Sequence, residues 1–315
     1  MNLQEFLIAA GQYLRSSSLQ VEKIIKSAPF RYKHYTIPKR TGGRRDIYHP
    51  SPALKSVQRW MVGVPLAGLP VHDSVYSYVE GRNIGMNAVA HLRSNYFIRF
   101  DFVDFFPSIT DIVLRNFLRQ AAENNVIDLD ETAINAVVRL ACRATDIPGR
   151  LALSIGAPSS PFLSNAILYE FDSLVSRQAT ARGVIYTRYA DDIYISSTGM
   201  AVLDGFEKEF RLLTRRFLPF LNINEDKVQR LSRKRRVTIT GVNVASDRTI
   251  SVGRNLKRSI RTRLYLALSG QLEVSEFSSL RGSIAYVMSI EPDYLTHLRR
   301  KFGEEIINNF MASSV

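Results

Sequence analysis

With a single cysteine, Cys142, in 315 residues, the chain has no partner for an internal disulfide and no Cys-rich zinc site. The apolar, helix-patterned surroundings of Cys142 mark it as a small core residue. Histidine is also scarce: there are five, and His91 has no Cys or His partner at ligand spacing, so it is not read as a metal ligand. No run of about 18 apolar residues is present to span a bilayer; the stretch from Met61 to Val71 is too short and is broken by glycine and proline. Nor does the N-terminus show a basic region, an apolar core and a small-residue cleavage site in order. These absences lead to the expectation of a cytoplasmic protein with no membrane partner. Acids are the last shortage, 29 Asp and Glu against 42 Lys and Arg, for a formal charge of +13 and a pI near 9.9. That surplus favours a polyanion over a neutral small molecule. The length suffices for a large core split into two or three subdomains.

The few acids sit in telling places. Asp191 and Asp192 lie between two β-rich runs, Val184 to Tyr189 and Ile193 to Ser197, which predicts a hairpin with its carboxylates at the tip. Acids favour turns in any protein, so the pair gains weight from a second segment, Ile98 to Phe106. There Asp101 interrupts an apolar strand and Asp104 follows three residues later. An unpaired acid in a buried strand costs several kcal/mol, whereas shared coordination of divalent cations would neutralise Asp101 and Asp191. Hard cations take oxygen ligands, and a pair of them suits in-line phosphoryl transfer. The chemistry expected is that of a nucleotide polymerase.

Pattern divides the chain in three. Residues 1–26 read as two short helices. From 27 to 244 strands and helices alternate: Tyr35 to Pro38 and Asp46 to His49 flank a Thr41-Gly42-Gly43 turn. Helices are expected at Pro52 to Val62, Ile112 to Ala122, Glu131 to Cys142, Pro161 to Arg182 and Val202 to Leu218. Residues 245–315 become helical, with Asn255 to Ser269, Glu276 to Ile290 and Asp293 to Met311. In the first of these, Arg254, Lys257, Arg258 and Arg261 recur at three and four while Leu256, Ile260, Leu264 and Leu268 form another stripe. One face would pack and the other meet nucleic-acid phosphates. Arg233, Lys234, Arg235 and Arg236 form a second basic cluster expected to track phosphates.

Taken in order, Ile37-Pro38-Lys39-Arg40 with Gly42-Gly43-Arg44-Arg45, Phe100 to Ile109, Gly156-Ala157-Pro158-Ser159-Ser160-Pro161 and Tyr189 to Asp192 make the chain resemble a bacterial retron-type reverse transcriptase. Asn87-Ala88-Val89-Ala90-His91 and the Thr240-Gly241 pair narrow the resemblance to retrons, although Ile239 stands where valine is usual. The resemblance implies an α+β right-hand polymerase: fingers and palm over 27–244, with an antiparallel palm sheet, then an α-helical thumb. It implies that Asp101, Asp191 and Asp192 are the catalytic carboxylates and, with the Phe102 carbonyl, hold two Mg²⁺ ions. It also assigns Lys227 as general acid toward pyrophosphate, Lys39 and Arg45 as contacts to the departing phosphates, and the amides of Asp104 and Phe105 as triphosphate donors. Phe106 would be the aromatic gate against a 2′-hydroxyl, and the Gly156 loop would run over the nascent base pair. Ile155 departs from the family, which commonly carries glutamine there; an apolar residue at this place resembles the error-prone diversity-generating enzymes. Asn87 and His91 would help to bind the structured noncoding RNA.

The partners so implied are the cognate noncoding RNA and its DNA product, dNTPs, an effector protein and, because no second carboxylate constellation follows Thr240, a host ribonuclease H. The product would be branched multicopy single-stranded DNA primed from a guanosine 2′-hydroxyl, in antiphage defence. The alternatives are a diversity-generating or other group II-like reverse transcriptase, or a catalytically silent RNA-binding scaffold.

Overall fold

A four-stranded antiparallel sheet lies at the centre of the computed structural model, which describes residues 1–38 and 42–312. Its strand order, given by first residues, is Ile185, Asp192, Tyr96, Gln229, so Tyr96–Asp101 is flanked by Asp192–Ser197 and Gln229–Ser232. The two-residue alternation of strands sends Ile98, Phe100, Ile193 and Ile195 to one face. There they pack with Phe171 and Val175 of Tyr169–Ala181 and with Phe206 and Phe210 of Met200–Phe217. Phe97 and Tyr194 belong to the opposite face and meet a three-stranded sheet, Val237–Ile239, Val242–Val244 and Ile250–Ser251, with the short helix Ile84–Ala90.

A second core joins the N-terminal helices to the rest of the first half. Leu3–Leu14 starts at a capping box in which Asn2 and Glu5 satisfy each other's backbone N–H groups. Ser18–Ser27 is capped by Ser17, and Pro52–Gly63 starts with proline in its first turn behind Ser51. Phe6, Val21, Trp60 and Met61 share one apolar cluster with Leu114, Leu118, Val137 and the buried Cys142. The helices expected separately over 1–26 are therefore part of a larger helical body. From it projects the hairpin of Tyr32–Pro38 and Arg44–Pro50, paired from Tyr32 opposite Pro50 to Pro38 opposite Arg44.

The C-terminal helices Arg254–Leu268, Phe277–Met288, Tyr294–Phe302 and Glu304–Ala312 form their own core around Ile260, Leu264, Leu280, Ile284 and Leu298. Two expected helices are divided. Asp293 to Met311 is interrupted at Gly303, whose φ of 97° only glycine adopts readily. Pro161 to Arg182 bends at Leu168 into Ser160–Ile167 and Tyr169–Ala181. The cause is packing: Leu163 and Ala166 are buried in the N-terminal core, whereas Leu168 and Phe171 are buried under the sheet. Among the described residues no helix is long and apolar enough to cross a membrane.

Candidate active site

Strand register builds the centre. Asp101, at the end of Tyr96–Asp101, lies directly opposite Asp192, the first residue of the neighbouring strand, and Arg99 lies opposite Tyr194. Alternation keeps Arg99, Asp101 and Asp192 on one face, away from the apolar layer. Asp101 is buried and accepts a hydrogen bond from Lys227 Nζ at 2.7 Å, while its carbonyl accepts from the Asn224 amide at 2.8 Å. Arg99 reaches diagonally to Asp192, Nε at 2.9 Å and Nη2 at 2.6 Å from Oδ1. Asp191, in the turn between strands, has no ion pair among the described residues. Burial pushes its carboxyl up to about 6, with further upward push from the charges of Asp192 and Asp101. Burial also raises Asp192, and Arg99 opposes the shift.

The turn itself is held from behind by residues that the sequence reading did not single out. Ala190 is left-handed at φ 57°, and its amide donates to Ser77 Oγ at 2.7 Å. Arg188 is fully buried, with Nε 2.9 Å from Asp172 Oδ1, Nη1 3.0 Å from Asn165 Oδ1 and 3.3 Å from the Ala190 carbonyl. Tyr186 donates to the same Asp172 carboxylate at 2.6 Å. An arginine in the apolar strand three residues before the acid pair was a usable signal, since such a charge, when buried, requires a buried partner; which acid would pair with it was not legible.

Oxygen-rich, partly buried and mutually repelling, Asp101, Asp191 and Asp192 suit hard divalent cations. No three Asp, Glu, His or Cys side chains among the described residues close into a ready-made metal cage. Lys227 and Arg99 take up Asp101 and Asp192 instead.

The remaining expected residues fall in several places. Asp104 is left-handed at φ 44° and precedes the short helix Phe105–Ser108; Phe105 is buried in the sheet core, and Phe106 is half-buried between the two large cores. Arg45 stands opposite Ile37 on the projecting hairpin, whereas Lys39 lies outside the described residues. The Gly156 loop is tied to that hairpin: Tyr48 N–H donates to the Ile155 carbonyl at 2.8 Å, and a Cβ on Gly156, whose φ is 111°, would stand 2.7 Å from the Tyr48 carbonyl. Only glycine fits there.

Asn87 and His91 require a correction. Both are fully buried, which removes them from any surface that RNA could touch. His91 bridges Ser196 at 2.6 Å and Thr187 at 2.8 Å, and burial lowers its pKa to about 3, so it is neutral. Asn87 Nδ2 reaches Thr240 Oγ1 at 3.5 Å, and the Thr240 amide donates to the Tyr194 hydroxyl at 3.0 Å. The two retron-like segments thus meet and brace the rear of the acid-bearing hairpin. Arg233 is also turned inward, donating to the carbonyls of Ser94 and Ala245 at 2.9 and 2.8 Å. Lys234, Arg235 and Arg236 are exposed, and Arg236 donates to Asn243 Oδ1 at 2.6 Å. Arg254, Lys257, Arg258 and Arg261 line a groove of about 980 Å³ with His297 and Lys301, and Lys257 pairs with Glu291 at 2.7 Å.

The family model described as reverse transcriptase (RNA-dependent DNA polymerase) matches residues 37–244, which include both acid-bearing strands. The chain is 34% identical over 290 residues to the retron Ec83 reverse transcriptase of Escherichia coli, covering 91% of this chain and 92% of the relative. The chain belongs to the retron reverse transcriptases. It is also 32% identical over 285 residues to the retron Ec73 enzyme of the same organism, covering 87% and 88% of the two chains. In fold this retron reverse transcriptase resembles telomerase from Candida albicans, solved in complex with a fragment of telomeric RNA. The TM-score is 0.51 at 13% identity, over 89% of this chain and 59% of the telomerase chain. The retron enzyme is an RNA-directed DNA polymerase with the right-hand α+β fold, its antiparallel sheet carrying the three aspartates.

Proposed function

We propose that this retron reverse transcriptase copies its own structured noncoding RNA into branched multicopy single-stranded DNA. Synthesis starts from the 2′-hydroxyl of a guanosine in that RNA, and the product serves antiphage defence with an effector protein. The fingers and palm occupy 27–244, and the thumb follows. The observation that supports the catalytic part is that Asp101 and Asp192 face each other across adjacent strands, with Asp191 in the turn beside them close enough to feel both charges. These carboxylates and the Phe102 carbonyl would hold two Mg²⁺ ions, which supply Lewis-acid stabilisation of the transferring phosphoryl group. Lys227, now on Asp101, would exchange that partner for the leaving pyrophosphate and give it a proton. Arg45 offers paired N–H donors to the same leaving group. The exposed Lys234, Arg235, Arg254, Arg258 and Arg261 supply phosphate contacts along the RNA and its DNA complement. A host ribonuclease H removes the copied template.

Phe106 is the proposed gate beneath the incoming sugar. Phe106→Ala is expected to lower the preference for dNTPs over ribonucleotides by about 100-fold, read as the ratio of kcat/KM values. Unchanged preference would return Phe106 to the core alone. Ile155→Gln is expected to lower the nucleotide KM about fivefold, the scale of one added hydrogen bond, and to reduce misincorporation on an RNA template. If neither quantity moves, Ile155 has no part in nucleotide selection. The general test is extension of a DNA primer on RNA with Mg²⁺ supplied or chelated: extension must stop on chelation and resume on readdition. Extension that persists in chelator would refute the assignment, and absence of extension under all conditions would favour a silent scaffold.

A further inference from the structure

Resting on the polymerase reading above, one exposed aromatic residue beside the acid pair is open to a role in binding the substrate. Tyr78 is 57% exposed. Its backbone is left-handed at φ 58°, a conformation that costs free energy for any residue with a bulky side chain and that recurs where function demands it. The segment carrying it is fixed to the catalytic hairpin. Val75 makes a parallel bridge to Arg188, the Tyr76 amide donates to the Arg188 carbonyl at 2.9 Å, and Ser77 Oγ accepts the Ala190 amide at 2.7 Å. Ser77 in turn is held through its carbonyl by Asn165 Nδ2 at 2.9 Å. The result is an exposed ring 6.4 Å from that of Tyr189 and close enough to Asp191 to feel its charge.

Sheet order says which part of the substrate meets this ring. The strand beginning at Asp192 lies between Ile185–Tyr189 on one side and Tyr96–Asp101 on the other. The turn from Asp104 to Phe106, assigned to the triphosphate, follows Asp101 on the second side. Tyr78 is attached to the first. Phosphoryl transfer places the attacking and leaving oxygens roughly in line, so the nucleotide that carries the attacking hydroxyl belongs on the flank opposite the triphosphate. We propose that Tyr78 and Tyr189 form an aromatic platform on which the terminal base of the priming strand stacks, holding its hydroxyl beside Asp191. Stacking on a ring is tolerant of base identity because every base has a π-face. The platform therefore suits both a priming ribonucleotide at the first step and a deoxyribonucleotide at every later one.

The test uses the full chain bound to an RNA template annealed to a DNA primer whose 3′-terminal base is 2-aminopurine, a fluorophore dimmed by stacking. Binding of the wild type should dim the terminal probe more than binding of Tyr78→Ala does, and Tyr78→Phe should behave as wild type. Tyr78→Ala should also raise the KM for primer-template about tenfold, the loss of one base–aromatic stack, while the KM for dNTP stays within twofold of wild type. Thermal melting of Tyr78→Ala should match or exceed the wild type, since the substitution removes an exposed ring. Equal dimming by wild type and Tyr78→Ala, or a rise in dNTP KM with primer KM unchanged, would overturn the platform. Should the wild type dim the probe and yet add no dNTP, the polymerase assignment fails while the stacking result stands on its own.

Discussion

Asp191→Asn is expected to abolish DNA synthesis and, in chelator at pH 7 to 8, to raise the melting temperature. Loss of one carboxylate from the cation site removes several kcal/mol of stabilisation of the transferring group, a fall in kcat of about 10³-fold or more. The gain in stability follows from the direction of the titration. Burial, with Asp192 and Asp101 nearby, raises the folded-state pKa of Asp191 to about 6. The folded protein therefore binds the proton more tightly than the unfolded chain. The group favours folding fully below the unfolded carboxylate range, and that contribution is lost as pH rises through about 6. Above this window the charged side chain is a burden on the metal-free fold, and the neutral amide relieves it by on the order of 2 kcal/mol. Melting curves of wild type and variant should converge near pH 4 and separate above pH 6. A variant that melts below the wild type at pH 8 in chelator would contradict the electrostatic picture of the site.

Asp172→Ala is expected to destabilise the protein by about 3–5 kcal/mol, the scale for removing one partner of a buried ion pair. Both side chains of the Asp172 and Arg188 pair are 0% exposed. The truncation would leave a guanidinium without its anion and a Tyr186 hydroxyl without its acceptor. The double variant Asp172→Leu with Arg188→Met should recover much of the loss, because no uncompensated charge remains. Synthesis should not recover with it, since the contact from Arg188 to the Ala190 carbonyl behind Asp191 is gone. Chemical denaturation of the three proteins checks the cycle. A cost below about 1 kcal/mol for Asp172→Ala would mean that water or local rearrangement satisfies Arg188.

How much of this was legible in the sequence depended on the range over which each feature is determined. The acid hairpin, the projecting hairpin and most long helices are local patterns, and their boundaries lie within a few residues of those expected. The Leu168 bend was hidden because periodicity runs through it; the two halves of that helix differ only in which core each enters. The three-stranded sheet was missed because strands of two or three residues give too little alternation to read. At the site, the three acids were visible in the sequence, but no local rule sets Asp101 opposite Asp192 or connects Arg188 to Asp172 or Ser77 to Ala190. The same limit explains Asn87 and His91: their segment was noticed, and its burial against Thr187 and Ser196 is a tertiary fact. Arg233 carried the charge expected of an RNA contact and spends it on carbonyls of the protein.

The measurement that tests the central proposal most directly is purification of this reverse transcriptase with its co-expressed upstream RNA and examination of the nucleic acid that accompanies it. A DNA strand joined to RNA through a branch, surviving ribonuclease as a short ribonucleotide stub and lost in Asp191→Ala, is the predicted result. Linear DNA from an added primer with no branched species would contradict self-priming while leaving RNA-directed polymerisation in place, and no DNA under any condition would contradict both.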